Sequence, residues 1–220
     1  PTSSRRQRQM CIRDRRQVVP LATDNPEGMQ SLQFLAFNRN KRSICLDPGS
    51  DADRETLAEL IRRTDFLIDS APGSLLDDFG LDVAALQELN PRLVHVRVTA
   101  FGADGPHADY VANDLVIAAM GGPVSLQGDR ARAPVRVTVP QAWRHAGVEA
   151  AAGALVAHGR MLRTGTAQFV DLSAQAAMTW TMLNGMTAQP TQGFEFERGG
   201  SGVGGPVKVE IVHPTKDGYI

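Results

Sequence analysis

The sequence has little cysteine and no long hydrophobic run. Of its 220 residues only Cys11 and Cys45 are cysteines, so neither a disulfide framework nor a cysteine-rich metal site is indicated, and a reducing cytoplasm is the expected location. No apolar stretch approaches the roughly 20 residues that span a bilayer. No hydrophobic segment follows the basic start, as one would in a secretory signal. We therefore expect no metal centre and no membrane partner.

Basic residues are concentrated at the amino terminus. Residues 1–16 hold six arginines against the single Asp14, and the rest of the chain has 17 basic and 23 acidic residues. A basic arm can bind nucleic acid or an acidic membrane, but this one has no hydrophobic period, helix cap or interleaved aromatic residue. We predict that residues 1–17 are a non-native or disordered arm, and we expect no nucleic-acid partner.

Short apolar segments alternate with amphipathic ones. Residues 43–46, 66–68 and 93–99 have the length and bounding turns of strands. Residues 51–63 and 82–89 have the spacing or start and stop signals of helices. Strands that alternate with helices imply βαβ units, so the predicted fold class is α/β, a Rossmann-like parallel sheet with flanking helices.

The second half continues this alternation. We predict a helix at 114–120, a long helix from about 141 to 161, a strand at 168–172 and a helix from 173 to about 187. The loop at 101–106 follows the third strand, at the edge where open α/β sheets bind ligands.

Four groups of motifs together resemble class III CoA-transferases, in order and in spacing. They are residues 37–44 with 46–47, residues 90–94, residues 101–102 with 105–106, and residues 163–165 with 168–173. That family includes formyl-CoA, carnitine and benzylsuccinate CoA-transferases, with alpha-methylacyl-CoA racemase as a relative. The resemblance implies a two-domain fold, two subunits threaded through each other as an interlocked dimer, and coenzyme A as part of the substrate.

The resemblance also implies a division into domains. Members of the family are much longer, so we expect a middle portion that is truncated at both ends. Residues 18–188 would form an incomplete Rossmann-like large domain, and residues 189–220 a Gly-rich linker and the start of the small domain. The glycines of residues 199–205 match a mobile loop of formyl-CoA transferase, and a plain flexible linker is the alternative.

Trp143 occupies the family's catalytic position. There an aspartate attacks the thioester carbonyl of acyl-CoA, giving a mixed anhydride and then an aspartyl-CoA thioester. The register of residues 140–142 puts Trp143 at that place, and an indole cannot form an acyl anhydride. A racemase needs a histidine and an aspartate where this chain has Asn113 and Trp143, so racemisation is not expected.

Two titratable residues follow on the same helix. His145 and Glu149 are four residues apart and can form an acid–base pair. Glu149 lies about 240° around the helix from Trp143, so it does not point where the aspartate points. The pair is therefore a weak catalytic candidate, and a structural hydrogen bond or a domain-interface contact is the alternative.

Residues 38–42 match a family segment that lies beside the nucleotide part of coenzyme A. The resemblance therefore makes Asn38, Arg39, Lys41 and Arg42 candidate contacts, with Lys41 as a point charge and Arg42 as a fork for phosphate. The alternative is that these basic residues form a solvated entry to a strand.

A second coenzyme A segment is implied at Pro72 and Gly73. The turn at 69–73 is one residue shorter than the family's, and Asp77 or Asp78 replaces a family arginine. This departure weakens the prediction of a strong anion site.

The sequence therefore predicts a CoA-transferase-like protein that binds acyl-CoA and moves CoA between carboxylic acids, with Trp143 in place of the nucleophile. The alternative is a non-catalytic acyl-CoA-binding or scaffold subunit of a heteromeric CoA-transferase. The expected partners are acyl-CoA, a carboxylic acid and a second subunit, which is either identical or a paralogue.

Overall fold

The computed structural model describes residues 21–22, 30–70, 76–200, 202–203, 209–210 and 212–220. It divides into two compact units, residues 1–54 and 55–220. In the first unit β1 (Leu21–Ala22) pairs antiparallel with β2 (Gln30–Ser31), and α1 (Leu32–Phe37) follows. Ser31 begins α1 because its Oγ accepts a hydrogen bond from the Phe34 amide at 3.2 Å.

Helices and strands alternate through the remaining chain. In order they are α2 (Asp51–Arg62), β3 (Phe66–Asp69), a 3₁₀ turn (Asp77–Phe79), α3 (Val83–Leu89), β4 (Val94–Thr99), α4 (Asp114–Met120), a second 3₁₀ turn (Pro123–Leu126), α5 (Ala142–Thr164), β5 (Gln168–Ser173), α6 (Ala174–Trp180), α7 (Leu183–Gln192), β6 (Gly202–Val203) and β7 (Val209–Glu210). Helix α2 begins in the first unit and ends in the second.

A parallel sheet forms the centre of the second unit. Its strand order is β3–β4–β5, with Ile68 beside Val96 and Val96 beside Val170. The strands are joined by helical crossovers, as βαβ units require. The predicted α/β fold with a parallel sheet is confirmed.

The core lies between one face of the sheet and α5. The alternating residues Val94, Val96 and Val98 of β4 are buried on this face. Helix α5 meets them with a row of buried residues at helical spacing, which comprises five alanines, Ala142, Ala146, Ala150, Ala154 and Ala157, and Met161. Because alanine adds only one methyl group, the helix backbone can lie close to the strands.

Two predicted elements are wrong. Residues 43–46 form no strand, because no described residue pairs with them, and Ile44 is 59% exposed. The predicted helix 173–187 is two helices, α6 and α7. Between them the backbone turns more tightly than an α-helix, since the Thr181 amide donates to the Met178 carbonyl at 3.1 Å and the Met182 amide to the Thr179 carbonyl at 2.9 Å.

Helix α4 packs against α6 at a glycine. A methyl group added at Gly121 would lie 2.7 Å from Cβ of Met178 and 3.1 Å from the Gln175 carbonyl oxygen. Since Cβ atoms do not approach this closely, only glycine fits at this contact.

We predict that Gly121→Ala destabilises the protein by about 1–3 kcal/mol, because the two helices must separate. Urea unfolding measures this change. Gly147→Ala is the matched control, since nothing lies within 4 Å of the added methyl group and alanine is the better helix former. A Gly121→Ala variant as stable as the control would contradict the packing.

Candidate functional site

The amino-terminal end of α5 lies at the carboxyl edge of the sheet and is held by Asp114. Its Oδ2 accepts from the Gln141 amide at 3.0 Å, and its Oδ1 accepts from the Trp143 amide at 3.2 Å. The Gln141 side chain makes no capping hydrogen bond. Asp114, from the first turn of α4, therefore supplies the cap for the free N–H groups of α5.

Trp143 is a packing residue in this structure. Its indole is half-buried and lies against the hydrophobic cluster between α5 and the sheet. The backbone of the same residue donates to Asp114. The position that the family resemblance assigns to a nucleophile therefore holds an apolar group directed at the core.

Asn113, at the second position that a racemase needs, also has a structural role. Its side-chain oxygen accepts from the Val116 amide at 3.0 Å and so begins α4. The neutral amide of asparagine does not act as an acid or a base, so Asn113 cannot remove or return a proton.

The loop after β4 is fixed by two side chains of the sheet. Thr99 Oγ1 accepts from the Gly102 amide at 2.8 Å, and Asp171 Oδ2 accepts from the Ala103 amide at 2.9 Å. Gly102 has φ 98°, a conformation that favours glycine. The predicted ligand-binding loop is therefore anchored at the edge of the sheet.

Three rings gather on this loop. His107 lies 4.8 Å from Tyr110 and 6.0 Å from Phe101, measured between ring centroids. Phe101 is buried, whereas Tyr110 is exposed. Neither this cluster nor the cap made by Asp114 is predicted from the sequence. No local pattern indicates the cap, because Asp114 lies 27 residues before Gln141, whose amide donates to it.

His145 and Glu149 lie on α5 but not at its core-facing side. Both are exposed, and within the described part of the chain no hydrogen bond or ion pair joins them. Trp143 packs against the core, and Glu149 points elsewhere.

The four candidate coenzyme A contacts of residues 38–42 follow α1. Asn38 ends the helix, since its Nδ2 donates to the Phe34 carbonyl at 2.8 Å, and its Oδ1 accepts from Lys41 Nζ at 2.9 Å. Arg39 and Arg42 are exposed. Their charged groups are thus accessible to a ligand, while Lys41 is folded back onto Asn38.

Pro72 and Gly73 lie outside the described residues. Asp77 and Asp78, one of which the resemblance matches to the family's arginine, are exposed in the first 3₁₀ turn.

The other face of the sheet carries a buried polar cluster. Arg97 Nε donates to Asp69 Oδ2 at 3.1 Å in a largely buried ion pair. Beside it His95 is 2% exposed, and neither ring nitrogen has a partner among the described residues. Burial lowers the pKa of His95, Arg97 lowers it further, and Asp69 opposes both effects.

The described residues contain no cluster of three or more potential metal ligands. Within the same part of the chain, no helix is long and apolar enough to cross a membrane.

The fold is an open α/β fold, a class in which ligands commonly bind at the carboxyl ends of the strands. The model of CoA-transferase family III matches residues 13–220. Subunit BbsE of succinyl-CoA:(R)-benzylsuccinate CoA-transferase from Thauera aromatica is 34% identical over 205 residues, which are 93% of this chain and 49% of the relative. The chain belongs to CoA-transferase family III.

Two further comparisons agree. Formyl-CoA:oxalate CoA-transferase from Streptomyces avermitilis is 34% identical over 150 residues, which cover 68% of this chain and 36% of that protein. The crystal structure of a CAIB/BAIF family protein from Brucella suis matches with a TM-score of 0.82 and 28% identity, over 94% of this chain and 54% of that one. The chain spans about half the length, or less, of these relatives.

We predict that Asp114→Ala destabilises the protein by about 1–2 kcal/mol, because two amides at the start of α5 lose their acceptor. Asp114→Asn keeps one acceptor oxygen and should lose less. Thermal or urea unfolding measures both, with Asp109→Ala, at an exposed position, as the control. Equal stability of the Asp114 and Asp109 variants would show that the cap is not needed.

We also predict that the protein loses stability as the pH falls below about 6.5. The folded-state pKa of His95 is lowered, so the unfolded chain binds the proton first and folding is disfavoured in acid. His95→Phe removes the titrating group and should flatten this dependence, whereas His213→Gln, at an exposed position, should not. A His95→Phe profile with the wild-type slope would refute the assignment.

Proposed function

We propose that this chain is part of a protein that binds acyl-CoA and moves CoA between carboxylic acids, without an aspartyl nucleophile at position 143. Membership of CoA-transferase family III supports the substrate class. Two of the relatives compared above are named as CoA-transferases, and the third is a CAIB/BAIF family protein. The observation that carries the rest of the proposal is the half-buried indole of Trp143.

The ligand site in this proposal is the carboxyl edge of the sheet. Its parts are the loop held by Thr99 and Asp171, the exposed ring of Tyr110 and the capped start of α5. In the first compact unit, taken by itself, the exposed Arg39 and Arg42 are candidate contacts for the phosphates of coenzyme A, as the family resemblance implies. Coenzyme A itself supplies the thioester, and no metal is needed for acyl exchange.

A second candidate function is a non-catalytic acyl-CoA-binding or scaffold subunit of a heteromeric CoA-transferase. Trp143 favours it, because its indole provides packing where the family reaction needs a carboxylate. The relative from Thauera aromatica is described as a subunit. In this reading the reacting carboxylate is supplied by a paralogous partner, whereas in the first reading another group of this chain supplies it.

The chemistry to be tested has two steps. A carboxylate oxygen attacks the thioester carbonyl, the C–S bond breaks, and CoA leaves as a thiolate. The thiolate then attacks the carbonyl of the enzyme's carboxyl group, the acid departs, and a CoA thioester of the side chain remains. Hydroxylamine converts either covalent adduct to a stable side-chain hydroxamate, which peptide mass spectrometry locates.

We expect no hydroxamate at position 143 of the wild-type chain after incubation with succinyl-CoA and hydroxylamine. Trp143→Asp restores the carboxylate and should acquire a hydroxamate there. Trp143→Asn is the matched control, because it has the same size as aspartate but cannot form the adduct. A hydroxamate at Glu149 of the wild type would support catalysis by another group of this chain. Its absence from every residue would favour the non-catalytic subunit.

A failure to bind or react with succinyl-CoA would contradict the whole proposal. If neither the wild type nor Trp143→Asp binds or reacts with succinyl-CoA, while circular dichroism shows both folded, the chain does not use this substrate class.

A further inference from the structure

The loop after β4 carries three aromatic rings that pack against each other from the core to the surface. Phe101 is buried, His107 is half-buried, and Tyr110 is 56% exposed. The ring of Phe101 lies 6.2 Å from that of Tyr110 with the planes at 84°, and 6.0 Å from that of His107 with the planes at 61°. These are edge-to-face arrangements, which aromatic rings prefer. We call Phe101, His107 and Tyr110 the ring cluster.

The backbone fixes the position of the ring cluster. The Tyr110 amide donates to the His107 carbonyl at 2.9 Å, and the Gly102 amide donates to Thr99 Oγ1 at 2.8 Å. The ring of His107 packs beside that of Tyr110, with 4.8 Å between the centroids. The exposed ring of Tyr110 is therefore presented to solvent from an anchored loop.

The charge around the ring cluster does not suit a phosphate group. Residues 98–129 contain no lysine or arginine. Asp104 and Asp109, on the same loop, are both exposed. Carboxylates repel the phosphates of coenzyme A. The ring cluster therefore fits an uncharged part of a ligand.

The ring cluster lies near the start of α5. Tyr110 precedes Asp114 by four residues, so their Cα atoms are at most about 14 Å apart. The carboxylate of Asp114 accepts from the Trp143 amide. Ala112, between Tyr110 and Asp114, packs against the same hydrophobic cluster as Trp143. A ring on an acyl group that is bound at the start of α5 can therefore reach the exposed ring of Tyr110.

We propose that the ring cluster binds an aromatic ring in the acyl part of acyl-CoA. The ring of the ligand packs against Tyr110, with His107 beside it, and extends an arrangement of rings that already exists. An aromatic ring fits better than an aliphatic group, because pairs of rings attract each other beyond the effect of the apolar area that they bury. The inference rests on the proposed function, since it takes acyl-CoA as the ligand of this edge, and it names the class of acyl group.

Calorimetric titration of the full 220-residue chain tests the class of acyl group. Phenylacetyl-CoA, cyclohexylacetyl-CoA and acetyl-CoA share one nucleotide and differ only in the acyl part. We expect phenylacetyl-CoA to bind about tenfold more tightly than acetyl-CoA, because its ring is buried against the cluster. It should also bind more tightly than cyclohexylacetyl-CoA, which has a ring of similar size without π electrons. Equal affinity for phenylacetyl-CoA and either of the other two would overturn the inference.

Substitution of Tyr110 tests whether the ring cluster causes the preference. Tyr110→Leu keeps an apolar side chain but removes the ring, so most of the preference for phenylacetyl-CoA over cyclohexylacetyl-CoA should be lost. Tyr110→Phe restores the ring and should restore the preference. Tyr219→Leu is the matched control, because Tyr219 is the other tyrosine of the chain and is 79% exposed. A Tyr110→Leu variant with the wild-type preference would refute the role of the cluster.

The same titrations separate this inference from its alternatives. If the ring cluster packed against the adenine of coenzyme A, Tyr110→Leu would weaken all three ligands by the same factor, and the inference would be wrong. Binding of acetyl-CoA without any preference for phenylacetyl-CoA would contradict the inference but not the proposed function. No binding of any of the three, by a chain that circular dichroism shows to be folded, would contradict both.

Discussion

The arrangement of the carboxyl edge of the sheet depends on the carboxylate of Asp114. It joins the start of α4 to the start of α5 through two backbone amides, which lie 27 and 29 residues further along the sequence. Helix α5 has no side-chain cap of its own. Its position over β4 therefore depends at one end on Asp114, and along its length on the row of buried alanines. The same carboxylate holds the backbone of Trp143.

This constraint decides what position 143 can do. The backbone is fixed by Asp114, and the indole lies against the core, so the residue contributes packing at a place where the family resemblance expects a nucleophile. A fold that keeps the edge, the anchored loop and the capped helix can still hold a ligand. Under the proposed function, acyl-CoA binding and covalent chemistry are therefore separable, because different residues would provide them.

Residue patterns predicted the parts of the fold that depend on local periodicity. Val94, Val96 and Val98 alternate as a half-buried strand does, and the structure buries them. Residues 43–46 have similar composition but form no strand, because pairing needs a neighbour that local pattern does not reveal. The break near Thr181 consists of backbone bonds that span three residues instead of four, which the side-chain pattern does not indicate. Trp143 was found only through the family register, and the cap by Asp114 needed the tertiary structure.

The central claim is that acyl-CoA binds at the carboxyl edge of the sheet, beside a Trp143 that serves as a packing residue. The chain has two tryptophans, and Trp180, on α6, is 63% exposed. In a Trp180→Phe variant, fluorescence therefore reports on Trp143 alone. Titration with acyl-CoA should give a saturable change in this fluorescence with no gain in protein mass. A flat titration, or a covalent adduct on Trp143, would contradict the account.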